Sequence, residues 1–110
     1  MPEEESDYGG PFFAHDFPRK SQKEMISDGI KVLKDGGYLL AAAPTGIGKT
    51  AAALASALRV SNLYRASSET PKILFLTGRQ SQHRIVVDTI REINRRIPQG
   101  FSKVKLVDII

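Results

Sequence analysis

The 110 residues contain no cysteine, which excludes disulfides and thiolate metal sites within this chain. Long apolar runs are also absent, and none approaches the roughly 18 residues that a membrane-spanning helix requires. Residues 1–18 contain five acids and no lysine or arginine, which is the opposite of a secretory or transit signal. Together these absences predict a cytoplasmic protein without a membrane partner.

The basic residues are concentrated in the rest of the chain. All 16 lysines and arginines lie in residues 19–110, against seven acids there, so this part carries a net charge of +9 while the whole chain carries +4. Such an asymmetry is typical of proteins that bind a polyanion, but a solvated basic surface has the same composition. Charge alone leaves both interpretations open.

The beginning of the chain differs from the remainder. Residues 1–11 are acidic and end in glycine and proline, which predicts a flexible acidic leader ahead of a folded domain at 12–110. Phe12, Phe13 and Phe17 are too apolar for a free tail. We expect all three phenylalanines to pack against the domain.

Helical periodicity predicts three helices, at residues 21–34, 49–64 and 81–97. The glycines at 36–37 end the first helix, and the second is rich in alanine and leucine. The third has one apolar stripe, formed by Val86, Ile90, Ile93 and Ile97. Its opposite side carries Arg84, Arg91 and Arg95, which is typical of a solvated face.

Short, continuously apolar runs predict three buried strands, at residues 38–43, 72–77 and 103–110. Strands that alternate with helices indicate an α/β fold with a parallel sheet and right-handed crossovers. The last predicted strand has no helix after it to cover it. We therefore expect the chain to be an incomplete part of a larger domain.

Residues 43–50 match the phosphate-binding P-loop pattern, with alanine in place of the first glycine. Gly46 and Gly48 allow the backbone to curl so that consecutive N–H groups point at phosphate oxygens. The helix that follows presents its N-terminal N–H groups to the same anion. Lys49 is expected to neutralise the β- and γ-phosphates, and the Thr50 hydroxyl is expected to hold Mg²⁺.

Three segments together resemble the XPD/Rad3 and DinG-like branch of superfamily 2 DNA helicases. The P-loop contains Pro44-Thr45-Gly46 and then Gly48-Lys49-Thr50, similar to the first helicase motif. Upstream, the segment at 17–26 has an Arg-x-x-Gln element at Arg19 and Gln22. Downstream, the apolar run at 73–77 leads into Gly78-Arg79, although Gln80 and His83 stand where that branch usually has threonine and glutamine.

The resemblance implies a partial RecA-like P-loop domain and roles for individual residues. Gln22 would hydrogen-bond the adenine edge, with Arg19 near the base, and Lys49 and Thr50 would be the catalytic phosphate and metal contacts. The nucleotide-binding residues would be Arg19, Gln22, Pro44, Thr45, Gly46, Ile47, Gly48, Lys49, Thr50 and Ala51. Thr77 and Arg79 would contact the phosphates of single-stranded DNA.

Cofactors and partners are also implied by the resemblance. ATP and Mg²⁺ would be the cofactors, and single-stranded DNA and a second motor domain of the same full-length chain would be the partners. Related helicases carry a four-cysteine iron–sulfur cluster, which is an expectation for a full-length protein only, since no cysteine is present here. Because no acidic magnesium box is present in these residues either, we expect the fragment alone to be inactive.

Two other interpretations remain open at this point. The chain could be a P-loop ATPase that acts as a regulatory or assembly module without a nucleic-acid partner, like AAA+ or RecA-like assembly ATPases. It could also be a truncated, non-functional product. The basic asymmetry and Arg79 at the end of a predicted strand favour the helicase.

Overall fold

The computed structural model describes residues 10–40, 48–63 and 72–107, which form a short 3-10 turn and three α-helices. The turn is Gly10–Phe12, and the helices, named α1, α2 and α3, are Lys20–Lys34, Lys49–Leu63 and Gln80–Arg96. The three predicted helices are confirmed, with ends that differ from the prediction by at most one residue. None of the described helices is long and apolar enough to cross a membrane.

The predicted parallel sheet of a RecA-like domain is wrong. Residues 38–40, 72–77 and 103–107 carry no regular secondary structure, and the described parts of the chain form a small three-helix assembly without strands. Tyr38 is 99% exposed and Leu74 is 79% exposed, so these runs are not buried on both faces. Residues 41–43 and 108–110 of the predicted strands lie outside the described residues.

The physical reason is that an apolar run indicates only that burial of the segment would be favourable, and does not specify a strand. A strand exists only where its N–H and C=O groups pair with a neighbouring backbone, and that neighbour is a matter of tertiary structure. Helices differ because every backbone bond is made within the segment itself. Helical periodicity therefore predicted the helices correctly, whereas the apolar runs predicted the strands wrongly.

Glycine closes α1 in the way the sequence predicts. Gly36 has a left-handed φ of 77°, and its N–H donates to the Leu33 carbonyl at 3.2 Å. The next N–H, of Gly37, donates to the Val32 carbonyl at 2.9 Å. These two bonds are the Schellman arrangement, which satisfies carbonyls that the helix end leaves without partners.

Gly36→Ala should lower the free energy of unfolding by about 1 kcal/mol, because an L-residue is strained in the left-handed region. An added Cβ would meet nothing within 4 Å, so the cost is conformational alone. Urea denaturation measures it. Gly78→Ala is the matched control, since Gly78 has no positive φ and equal space around it. Equal effects of the two substitutions would contradict the left-handed cap.

Helix α2 lies between two apolar clusters. On one side Leu54 and Leu58 pack with Val86, Ile90 and Ile93 of α3. On the other side, small alanines contact α1 and Phe13, and this second cluster is Phe13, Ile26, Ile30, Ala51, Ala52, Ala55 and Val60. Burial on two sides explains why the sequence of α2 is so uniformly apolar.

The contact between α1 and α2 depends on small residues. A Cβ built on Gly29 would lie 2.9 Å from the Ser56 Oγ, which is too close for unaltered packing. The Ser56 hydroxyl donates to the Ala53 carbonyl at 2.9 Å, so this buried polar side chain is satisfied within its own helix. The two helices consequently approach each other closely at the middle of α2.

The segment at residues 12–17, ahead of α1, packs against the helices through two of its three phenylalanines. Phe12 and Phe13 are buried, and the Phe12 ring meets the Phe101 ring edge-on at 6.0 Å between centroids. Phe17 is 85% exposed, so the prediction that it also packs is wrong. Residues 1–9 of the predicted flexible leader lie outside the described residues.

An ion-pair network joins the segment ahead of α1 to the end of α3. Arg96 Nη1 donates to Asp16 Oδ1 at 2.7 Å, and Arg96 Nε donates to Glu92 Oε2 at 2.6 Å. Hydrogen bonds from Arg95 and then Arg96 lower the pKa of Glu92 from 4.5 to about 2. Because the folded pKa is depressed, any stabilisation by Glu92 is present above pH 4.5 and is lost as the pH falls toward 2.

Asn94 holds the segment that follows α3. Its Nδ2 donates to the Val104 carbonyl at 3.0 Å, and its Oδ1 accepts from the Val104 N–H at 2.7 Å. Val104 in turn packs against the first apolar cluster together with Phe101. The side-chain amide thus makes with Val104 the pair of bonds that a neighbouring backbone would make.

Candidate phosphate-binding site

The described part of the predicted P-loop is its last three residues. Gly48 has a left-handed φ of 75°, and α2 begins at the next residue, Lys49. The Ala52 N–H donates to the Gly48 carbonyl at 3.1 Å, which is the first turn of the helix. The predicted phosphate contacts Pro44, Thr45, Gly46 and Ile47 lie outside the described residues.

The electrostatics at this end of α2 favour an anion. The first turn contains no acidic residue, the Lys49 side chain is exposed, and Thr50 is half-buried. The N–H groups of Thr50 and Ala51 precede the first hydrogen bond of the helix, where the positive end of the helix dipole lies. Ala51 itself is buried against α1, so it can contribute its backbone to a ligand but not its side chain.

Gln22 lies beside this site, although 26 residues separate it from Gly48 in the chain. Its Oε1 accepts from the Arg19 N–H at 2.9 Å, which caps the start of α1. Its Nε2 donates to the Gly48 carbonyl at 3.3 Å, and the side chain is 4% exposed. Gln22 and the end of the P-loop, both predicted nucleotide contacts, are therefore brought together.

The second predicted site lies at the start of α3. Thr77 and Arg79 line an open hollow of about 610 Å³, and its other lining residues are Gly78, Gln80, Ser81, His83 and Arg84. Arg79 is the residue before the helix and has extended backbone, with φ −137° and ψ 148°. The hollow thus combines two arginines, two hydroxyls and a helix N-terminus, which are groups suited to an anion.

The remaining arginines of α3 lie on its exposed face, as the periodicity predicts. Arg91 is 3.9 Å from Asp88, and Arg95 pairs with Glu92. Both arginine side chains are exposed, so this face is solvated and internally paired. Exposed ion pairs of this kind contribute little to stability.

The sequence did not indicate the Gln22–Gly48, Asn94–Val104 or Arg96–Asp16 contacts. Gln22 stands at the third position of α1, where a glutamine often bonds back to the first backbone N–H of the helix. That signal could have predicted the bond to Arg19. The other contacts join distant parts of the chain, and no local pattern specifies them.

A left-handed glycine, a lysine and a threonine at the start of a helix are the arrangement typical of phosphate-binding loops. The family model described as Type III restriction enzyme, res subunit, matches residues 16–107. The chain belongs to this family, and the match places it among the N-terminal domains of superfamily 2 helicases, which are associated with ATP-dependent helicase and ATPase activity. Searches of curated proteins and of solved structures found no match to the chain.

Proposed function

We propose that this chain is the ATP-binding part of an ATP-dependent DNA helicase of the XPD/Rad3-like branch. The family supports the helicase class, and the sequence resemblance at the three helicase-like segments supports the finer assignment. The observation that carries the ATP site is the left-handed Gly48 directly ahead of Lys49 at the start of α2. A glycine in that conformation turns the chain so that the helix N-terminus faces a bound phosphate.

The donor set fits a magnesium nucleotide. The Lys49 ammonium suits the β- and γ-phosphate oxygens, and the Thr50 hydroxyl oxygen is a hard ligand of the kind Mg²⁺ prefers. When bound, ATP supplies the phosphoryl group whose hydrolysis drives a motor, and Mg²⁺ neutralises its charge. The chain's own part is to bind and orient the phosphates through Lys49, Thr50 and the first N–H groups of α2.

Single-stranded DNA is the proposed second ligand, with Thr77 and Arg79 as its contacts. Both side chains line the hollow at the start of α3, and Arg84 and His83 line it with them. Arginine and hydroxyl groups bind the sugar–phosphate backbone without distinguishing bases. We therefore expect binding that is independent of sequence and weakens steeply with salt.

Binding of magnesium nucleotide to the chain tests the proposal most directly. Mg·ATP should shift the ¹⁵N amide resonances of Gly48 to Ala51, and Lys49→Ala should remove those shifts. The hollow-lining residue His83 should not respond to nucleotide, and it serves as an internal reference. Shifts that are equal in the wild type and in Lys49→Ala would show that the nucleotide does not use this lysine.

Arg79→Ala in the full motor should lower the affinity for single-stranded DNA and make the salt dependence shallower. Each neutralised phosphate of a single strand contributes about 0.7 to the slope of log affinity against log salt, so the slope should decrease by about that amount. ATPase activity without DNA should hardly change, because Arg79 has no assigned contact with the nucleotide. Fluorescence titrations at several salt concentrations measure both quantities.

Arg91→Ala is the matched control for this experiment. Arg91 is also exposed on α3, but it pairs with Asp88 and does not line the hollow. It should leave both affinity and slope unchanged. If Arg79→Ala behaves like Arg91→Ala, Arg79 is a solvated charge, and the ATPase module without a nucleic-acid partner becomes the better proposal.

A further inference from the structure

The Gln22 side chain is satisfied by the protein itself. A buried amide must find hydrogen-bond partners, and Gln22 finds one at each end. Its oxygen accepts from Arg19 and its nitrogen donates to the Gly48 carbonyl. Each of these bonds is made to a backbone group, so the side chain connects the start of α1 to the residue before α2.

The Gly48 carbonyl accepts two hydrogen bonds, one from each of two helices. The same oxygen accepts from Gln22 Nε2 at 3.3 Å and from the Ala52 N–H at 3.1 Å. The first bond comes from α1 and the second begins α2. The orientation of the Gly48–Lys49 peptide, and with it the direction of the first N–H groups of α2, is therefore set by Gln22 as well as by the helix.

The packing around the Gln22–Gly48 hydrogen bond restricts the movement of both residues. A Cβ on Gly48 would clash with Gln22 Nε2, so any larger residue at this position would displace the amide. Ile26 and Ile30 of α1 pack on Ala51, Ala52 and Ala55 of α2, and so the two helices are held together immediately beyond it. A displacement of the Gln22 side chain would consequently displace the Gly48 carbonyl as well.

We propose that Gln22 is a positioning residue for the phosphate loop, which acts on bound phosphate through the Gly48 carbonyl and not only through a contact with the nucleotide base. This inference rests on the proposed ATP site and specifies how that site is held in shape. If Gln22 positions the loop, the affinity for a ligand that has phosphates and no base must also depend on Gln22. If Gln22 contacted only adenine, the affinity for that ligand would not depend on it.

The test compares Mg·ATP with magnesium tripolyphosphate, which has the phosphates without the base, on the 110-residue chain by NMR titration. Gln22→Glu keeps the acceptor for Arg19 and removes the donor to Gly48, and Gln22→Met removes both without adding charge. Both variants lose the bond to the Gly48 carbonyl, and the loss of that one neutral hydrogen bond should weaken the binding of both ligands by about three- to tenfold. The melting temperature is measured in parallel.

Gln99→Met is the matched control, since Gln99 is exposed in the turn after α3. It should leave both affinities at the wild-type value. The melting temperature shows that each variant is folded at the temperature of the titration. Gln22→Glu keeps the acceptor for Arg19, so a role confined to the α1 cap would spare tripolyphosphate binding in this variant, whereas positioning requires that the folded variant binds tripolyphosphate more weakly.

Three outcomes would overturn the inference. Weaker ATP binding with unchanged tripolyphosphate binding would make Gln22 a base contact. Weaker binding in Gln22→Glu but not in Gln22→Met would assign the effect to charge repulsion, and wild-type affinities in both variants would remove any role. If the wild type binds neither ligand, the proposed ATP site itself fails, which is a different result from all three.

Discussion

Lys49→Ala should abolish ATP turnover by the full motor and leave the fold intact. The Lys49 side chain is exposed at the first position of α2, so no described core contact is lost. In the proposed site each charge-assisted contact of Lys49 with phosphate is worth about 1.5–3 kcal/mol, and losing two of them should lower the affinity for ATP by two orders of magnitude or more. The ATPase rate and the melting temperature are measured on the same preparation.

Lys103→Ala is the control, because Lys103 is also an exposed lysine but lies after α3. Its ATPase rate should equal that of the wild type. An active Lys49→Ala protein would end the assignment of the phosphate site. A Lys49→Ala protein that melts several degrees lower would instead show that the lysine stabilises the fold.

The second large effect is expected for Gly48→Ala. The substitution places a side chain in the left-handed region, which costs about 1–2 kcal/mol, and adds a clash with Gln22 Nε2. Stability should fall by more than the backbone strain alone. Affinity for magnesium tripolyphosphate should fall by more than tenfold, because the first N–H groups of α2 are displaced.

A double-mutant cycle with Gln22→Ala separates the destabilisation by backbone strain from the destabilisation by the clash. Removing the glutamine side chain removes the clash, so Gly48→Ala should destabilise the Gln22→Ala protein less than it destabilises the wild type. Residues in direct contact typically show coupling of 0.5–3 kcal/mol. Chemical denaturation of the four proteins gives the coupling. Strict additivity would mean that the two residues do not meet.

The helices could be predicted because their determinants are local. Ile26 and Ile30 lie on one face of α1, Gly36 ends it, and the stripe at Val86, Ile90 and Ile93 sets the buried face of α3. Each of these signals lies within the segment that it specifies. The boundaries were accordingly correct to one residue.

The strands could not be predicted in the same way. Leu74 and Leu76 have the composition of a buried strand and are nevertheless exposed, because no described segment pairs with them. Pairing is a long-range property, and apolar composition contains no information about it. The predicted sheet and the predicted packing of Phe17 were both inferred from apolar composition, and both were wrong for this reason.

The sequence pattern selects the residues of the candidate site but says nothing of the contacts between them. Gly48, Lys49 and Thr50 follow from the phosphate-loop pattern, and the left-handed φ of Gly48 agrees with what that pattern requires. The pattern does not say what holds the glycine in place. Gln22, 26 residues earlier, donates to the Gly48 carbonyl, and its predicted contact with the nucleotide base stays a prediction.

The pairing of Asn94 with Val104 has a consequence for the segment after α3. Lysines flank Val104 on both sides, so a slip of one residue in either direction would bring an ammonium group to the apolar cluster. The two bonds from Asn94 fit only one peptide unit at a time. A single asparagine on a helix therefore fixes the register of this part of the chain, a task that a turn or a neighbouring strand performs in a sheet.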